Sequence, residues 1–287
     1  MIDRMQGKIS LVTGATNGIG KITAMALAKQ GATVVIIGRN AQKTQETQEE
    51  IRRESGNAQI DYIVADLSSM AQVRTAAQTF RSKYKQLHVL VNNAGALFNE
   101  RQVSADGYEM TFALNHLNYF LLTHELLDLL IASGSASQKA RVVNVSSLAH
   151  TGGKIDFDDL NSSKRYRGFG AYAQSKLANI LFSNELARRM QQANAPVTSN
   201  ALHPGFVATG FGQGNSGILT FIFKIIRPFA ISPEKGAETS IYLASSPEVE
   251  GVTGQYFADK KAAKPAAQAT DLATAQRLWQ VSEQMTQ

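Results

Sequence analysis

TGATNGIGK, residues 13–21, is the stretch on which the fold turns. Its three glycines, Gly14, Gly18 and Gly20, stand between the apolar run ISLVT (9–13) and a segment of helical period over 19–30. Glycine allows the tight turn from strand to helix and lets a ligand's phosphates approach the backbone. The helix that follows offers free N–H groups and the positive end of its dipole to an anion. Thr16, Asn17 and Ile19 complete the loop. A glycine pattern alone also fits an ordinary turn, so the surrounding order of elements has to decide.

Outward from this loop the chain alternates. Strands are expected at 33–38, 60–65, 88–93, 141–146, 197–202 and, more weakly, 254–258. Between them, helical periodicity marks 41–54, 69–84, 107–131, 171–193 and 234–245, with a terminal helix over 270–284. Most strand runs are continuously apolar, as strands covered on both faces are. The order predicts an α/β fold: one doubly wound Rossmann-type parallel sheet of about seven strands, with helices on both faces. No linker or repeat interrupts it, so one domain is expected over 1–287. Its C-terminal tail, 260–287, is expected to be loose between Lys260 and Ala269.

Composition narrows the chemistry. The 287 residues are 44% hydrophobic and 18% charged, as in soluble globular proteins. The absence of cysteine excludes disulfides, thiolate metal sites and cysteine nucleophiles. The five histidines form no HExxH pair or ligand cluster, so no metal is expected. The net charge of +6 is dispersed. The short clusters Lys164–Arg167 and Lys260–Lys264 read as solvated loops, and no nucleic-acid partner is expected. Neither a signal-peptide core nor a run of about 20 apolar residues is present, which predicts a cytoplasmic location.

The second strand ends in IGRN, 37–40. An acidic residue at this point would bind a ribose 2′-hydroxyl and favour NAD, whereas Arg39 can pair with the 2′-phosphate of NADP. Asn40 follows it, and Lys21 in the first helical turn adds positive charge nearby. Asp66, with Leu67 beside it after the third strand, is expected to face the adenine, to cap the next helix, or both.

Further motifs follow in order: NNAG (92–95), NVSS (144–147), YAQSK (172–176) and HPG (203–205). Together with the glycine loop they resemble a classical short-chain dehydrogenase/reductase across nearly the whole chain. A narrower resemblance is to the retinol dehydrogenase group, which includes WW-domain oxidoreductases and is close to protochlorophyllide reductases. It is carried by LNHLNYFLLT (114–123), VVNVSSLAH (142–150), AYAQSKLANILFSNEL (171–186), HPGFVAT (203–209), GAETSIYLASSPE (236–248) and RLWQVSE (277–283). The gap of 25 residues from Ser147 to Tyr172 also suits that group.

The resemblance implies site roles. Tyr172 moves the proton. Lys176 lowers the Tyr172 pKa and bonds the nicotinamide ribose. Ser147 holds the substrate oxygen. Asn115 steadies a helix break and a water in a proton relay. Asn92, Ala94 and Gly95 lie behind the adenosine ribose, and Pro204, Gly205, Val207 and Thr209 lie along the nicotinamide. Physical chemistry supports the helical pair: positions four apart share a helix face, free tyrosine titrates near about 10, and a neighbouring cation stabilises phenolate. The spacer side chains between Tyr172 and Lys176 are expected to stay away from the reaction centre.

The implied activity is NADP(H)-dependent hydride transfer to or from the carbonyl or alcohol carbon of a small hydrophobic substrate, retinal-like or another aldehyde or ketone. Two alternatives are a C=C reductase of protochlorophyllide type, weakened by the missing cysteine, and a non-catalytic NADP-sensing protein, weakened by the presence of both tyrosine and lysine. The connections 147–169 and 206–231 both follow strand C-terminal ends, where open α/β sheets bind ligands. Residues 206–231 are expected to form a substrate lid. The apolar segment 217–231, with Lys224 and Arg227 its only charges, leaves a peripheral membrane contact open. Homo-oligomerisation is also left open.

Overall fold

The computed structural model describes residues 4–205 and 231–287. The expected lid, with Phe206, Val207, Thr209, Phe211, Lys224 and Arg227, falls outside the described residues except at Ile231.

One sheet organises the chain. Its strands are β1 (Ile9–Thr13), β2 (Thr33–Gly38), β3 (Ile60–Val64), β4 (Val89–Asn92), β5 (Ala140–Val145), β6 (Val197–Leu202), β7 (Tyr256–Ala258) and β8 (Lys261–Ala262). They run in the order β3-β2-β1-β4-β5-β6-β7-β8, and all neighbours pair parallel except β7 and β8. The expected seven parallel strands are thus present, with a two-residue antiparallel strand added at one edge.

Strand periodicity sorts the core into two layers. In β2, Val35 and Ile37 join a cluster with Val73, Phe80, Leu122 and Phe182. Val34 and Ile36, one residue out of phase, pack with Ala24, Leu27, Ile51 and Leu243. Successive side chains point to opposite faces of a pleated strand, so a continuously apolar strand can bury both. On the first face lie α3 (Met70–Lys83), α5 (Asn118–Ser133) and α6 (Gly168–Gln192). On the other lie α1 (Gly18–Lys29), α2 (Ala41–Ser55) and α7 (Pro233–Ser245).

The helix expected over 107–131 is not regular. A short α4 (Met110–Phe112) leads into a π-helical turn, Ala113–Leu117, before α5 continues. Asn115 sits in that turn, and such turns inside helices often mark functional sites.

The tail between Lys260 and Ala269 is packed rather than loose. It contains β8, the backbone N–H of Ala263 donates to the Tyr256 carbonyl at 2.8 Å, and Ala269 is fully buried. Low local periodicity concealed this, because these residues are held by distant partners. The tail then enters the final helix, α8 (Leu272–Met285), capped by Asp271. No helix among the described residues is long and apolar enough to cross a membrane.

Candidate active site

The C-terminal ends of β1, β2, β4, β5 and β6 bring the expected residues to one edge of the sheet. At β1 the glycine loop is locked against Asn93 and Ala94, at the end of β4. The Thr13 hydroxyl accepts from the backbone N–H groups of Asn93 and Ala94, at 2.9 and 3.0 Å. The Asn93 amide donates to the carbonyls of Thr13 and Gly14 at 2.9 and 3.2 Å. Gly14 has φ +62°, and a Cβ there would lie 2.7 Å from the Ala94 Cα. The glycine is therefore required by the closeness of the β4 loop as well as by its backbone angle. Asn17 precedes α1 without making a side-chain cap, so the first N–H groups of the helix are not taken by it. This arrangement fits a phosphate.

Arg39 is exposed beyond β2 and has no ion-pair partner among the described residues. Lys21, expected to add charge nearby, instead pairs with Glu50 of α2 at 2.5 Å. Its charge is thereby neutralised locally, a pairing of residues 29 apart that no local pattern reveals. Asn40 caps α2, accepting from the Lys43 N–H at 2.8 Å. Asp66 binds the N–H and hydroxyl of Ser68 through Oδ1, at 3.0 and 2.7 Å, and so shapes the turn before α3 beside the buried Leu67.

At β4 the two adjacent asparagines take different roles. The Asn92 side chain is fully buried and donates to Thr123 Oγ1 and Asn144 Oδ1, each at 3.0 Å. It is committed to the interior, and only the backbone of Asn92 is left to serve a ligand. Asn93, not singled out from the sequence, is the residue that closes the loop. Gly95 faces the site. A Cβ there would lie 3.0 Å from Asn115 Oδ1 and 3.4 Å from Lys176 Nζ, so the bare backbone forms one wall of a cradle. Asn115 ties that wall to α6. Its Oδ1 accepts from the Ala96 N–H at 2.8 Å, and its Nδ2 donates to the Ala96 carbonyl and Ser175 Oγ at 2.9 and 3.0 Å.

At β5 the two serines divide. Ser146 is buried, and its hydroxyl donates to the Lys176 carbonyl at 2.6 Å. Ser147 is half-buried, hydrogen-bonds Tyr172 and accepts from the Ala149 N–H at 3.2 Å. Tyr172 and Lys176, on α6, are 8% and 3% exposed. Lys176 Nζ donates to the Val145 carbonyl at 3.0 Å and lies 5.7 Å from the ring centres of both Tyr119 and Tyr172.

Burial dominates the electrostatics. It pushes the Tyr172 phenol up to about 12, with the Ser147 hydrogen bond pulling the other way, and pushes Lys176 down to about 7. The expectation that Lys176 lowers the Tyr172 pKa therefore does not hold for the protein by itself. Both groups lose hydration, and each favours its neutral form.

At β6, Gly205 has φ +82°, and a Cβ there would meet Ile231 Cδ1 at 2.8 Å. His203 accepts from the Gly205 N–H at 3.0 Å and fixes the turn through Pro204. The expected positions Val207 and Thr209 lie outside the described residues. Among the described residues no group of His, Asp and Glu could hold a metal.

The spacer of the helical motif is not idle. Ser175 accepts from Asn115, and Gln174 Oε1 accepts from the Asp156 N–H at 2.9 Å, anchoring the long connection before α6. Two consecutive polar residues inside an otherwise buried helical stretch were the available signal. The site is therefore a glycine-lined edge with an uncapped helix start, an Asn-braced wall and a half-buried serine beside a buried Tyr–Lys pair.

Comparison with known proteins agrees. The chain is 42% identical over 279 residues to retinol dehydrogenase 12 of Mus musculus, covering 97% of this chain and 86% of that one. It is 40% identical over 280 residues to the polyprenol dehydrogenase of Homo sapiens, covering 97% and 85%. Among solved structures, the Pseudomonas aeruginosa RhlG/NADP active-site complex matches with a TM-score of 0.71 and 28% identity, over 90% of this chain and 96% of that chain. The family model described as short chain dehydrogenase matches residues 8–216 and so spans the glycine loop, the Asn115 turn and the Ser147, Tyr172 and Lys176 positions. With that match and this geometry in agreement, the chain belongs to the short-chain dehydrogenase family.

Proposed function

We propose that the chain is an NADP(H)-dependent oxidoreductase of the retinol dehydrogenase group, interconverting a carbonyl and an alcohol on a small hydrophobic substrate. The observation that carries this reading is the half-buried Ser147 hydrogen-bonded to the buried Tyr172, with the buried Lys176 one turn on, beside the Gly95 wall.

Gly14, Thr16, Asn17, Gly18, Ile19 and Gly20 would hold the phosphates, and Arg39 with Asn40 the 2′-phosphate. Asp66 and Leu67 would meet the adenine, and Ala94, Gly95 and the Asn92 backbone the ribose. Lys176 and Tyr172 would take the nicotinamide ribose, and Pro204 and Gly205 the nicotinamide. Val207 and Thr209 join this set from the sequence. The cofactor, when bound, supplies or accepts the hydride. Ser147 holds the substrate oxygen. In reduction the Tyr172 hydroxyl gives its proton to that oxygen as the carbonyl carbon gains the hydride; in oxidation it takes the proton back. A phenol raised to about 12 is protonated at neutral pH and so carries the proton that reduction needs.

Two exposed apolar side chains support a hydrophobic substrate. Leu148, directly after Ser147, is 61% exposed, and Phe169, one turn before Tyr172, is 48% exposed. The names of the similar retinol and polyprenol dehydrogenases support an alcohol or carbonyl. A cytoplasmic location belongs to the same proposal and is checked by cell fractionation. The test of activity is a panel of aldehydes, ketones and retinoids, each assayed with NADPH and NADH. Turnover of apolar carbonyls with NADPH is the expected result; no turnover with any member refutes it.

A further inference from the structure

Behind the Ser147 turn lies a group of rings, His150 and Tyr256 buried and His203 partly so, that the proposed chemistry does not use. His150 is almost fully buried. Its ring centre lies 5.0 Å from that of Tyr256, against which His203 stacks at 5.9 Å. Both nitrogens of His150 are engaged. Nε2 faces the backbone N–H of Ala266 at 3.1 Å, and Nδ1 lies 2.7 Å from the Ser147 carbonyl oxygen. A backbone amide only donates, so Nε2 is the acceptor and carries no proton. Nδ1 therefore bears the proton of the neutral ring and donates it to Ser147. Burial acts in the same direction, holding His150 below the ordinary histidine pKa.

The Ser147 carbonyl takes a second bond from the His150 backbone N–H at 3.1 Å. One residue thus holds the Ser147 carbonyl through both its ring and its backbone, and so fixes the main chain from which the Ser147 side chain projects. Filling the space against Tyr256 would need only an apolar ring. An imidazole in a buried position costs free energy unless its nitrogens are paired, and here they are paired to the two segments being joined. The C-terminal segment has a separate tie, since Gln268 Nε2 donates to the Gly153 carbonyl.

We propose that His150 is a positioning residue, whose ring bridges the Ser147 carbonyl to Ala266 and so aims the Ser147 hydroxyl at Tyr172. This rests on the proposed roles of Ser147 and Tyr172.

The test compares His150→Leu with His150→Asn, near-isosteric changes of which only asparagine can donate to the Ser147 carbonyl. With saturating NADPH and a long-chain aldehyde, His150→Leu should lower kcat by about tenfold to a hundredfold, the usual cost of a small misplacement. NADPH affinity, read by fluorescence titration, should stay near that of the parent. His150→Asn should regain most of the lost kcat. A Leu variant with the parent's kcat, or Leu and Asn variants equally impaired, overturns the proposal. If His150→Leu fails to bind NADPH, His150→Phe, which keeps a ring against Tyr256, takes its place in the same comparison. Tyr172→Phe is assayed alongside: turnover by that variant removes the site assignment itself, whereas an inactive Tyr172→Phe with a fully active His150→Leu refutes the role of His150 alone.

Discussion

Lys176 Nζ lies 5.7 Å from the ring centre of Tyr172, one turn along α6, and both side chains are nearly buried. Burial drives the two pKa values toward neutral forms, with the lysine falling to about 7 and the tyrosine rising to about 12. Titration near neutrality therefore belongs to the lysine.

The pH dependence of kcat/KM for reduction should follow. This ratio reports free-enzyme pKa values. Tyr172 stays protonated across the range, so the rate should be level below pH 7 and fall as Lys176 loses its proton above about 7. A rate that rises across that interval would assign the titration to another group.

Stability carries the opposite sign. Between about 7 and the ordinary lysine value of about 10.4, the unfolded chain holds a proton that folded Lys176 has lost. The unfolded state binds more protons there, so this group makes stability rise with pH. Above about 10 the raised Tyr172 pKa reverses the trend, because the unfolded tyrosine ionises first. Urea titrations from pH 7 to 9.5 should show the rise in the parent and lose part of it in Lys176→Met.

Tyr172→Phe should abolish turnover and leave NADPH binding nearly unchanged, since the ring still packs and only the exchangeable proton goes. A fluorescence titration beside a steady-state assay separates the two effects. Substantial residual activity would place the proton donor elsewhere.

Arg39→Asp should erase or reverse the preference for NADPH over NADH. A charge-assisted bond to the 2′-phosphate contributes about 1.5–3 kcal/mol, a factor of roughly ten to a hundred. Equal kcat/KM for both cofactors in the parent would contradict the role given to Arg39.

Asn115→Leu should lower stability by about 2–4 kcal/mol, because it removes three bonds and strands both polar groups of the Ala96 backbone. The urea midpoint should fall at constant m-value, and kcat should fall with it. An unchanged midpoint would mean that the π-helical turn holds without the side chain.

For apolar aldehydes, kcat/KM should climb with chain length, since each buried methylene contributes about 0.8 kcal/mol. Leu148→Ser and Phe169→Ser should flatten the series. A parent that prefers short polar carbonyls would reject the hydrophobic-substrate reading while leaving the family assignment intact.

Local patterns in the chain were enough for the parallel sheet, its helical layers, the glycine loop and the shared face of Tyr172 and Lys176. Each of these follows from local sterics or from a periodicity of two or 3.6 residues, which neighbours along the chain already contain. The packed structure was needed to show that Asn93 rather than Asn92 closes the loop, and that Lys21 is paired with Glu50. It alone fixed 260–269 against the rest of the molecule and reversed the expected direction of the Tyr172 pKa. These outcomes depend on dehydration and on partners far away in the chain. Burial is a property of the whole packed assembly, so no stretch of sequence carries it.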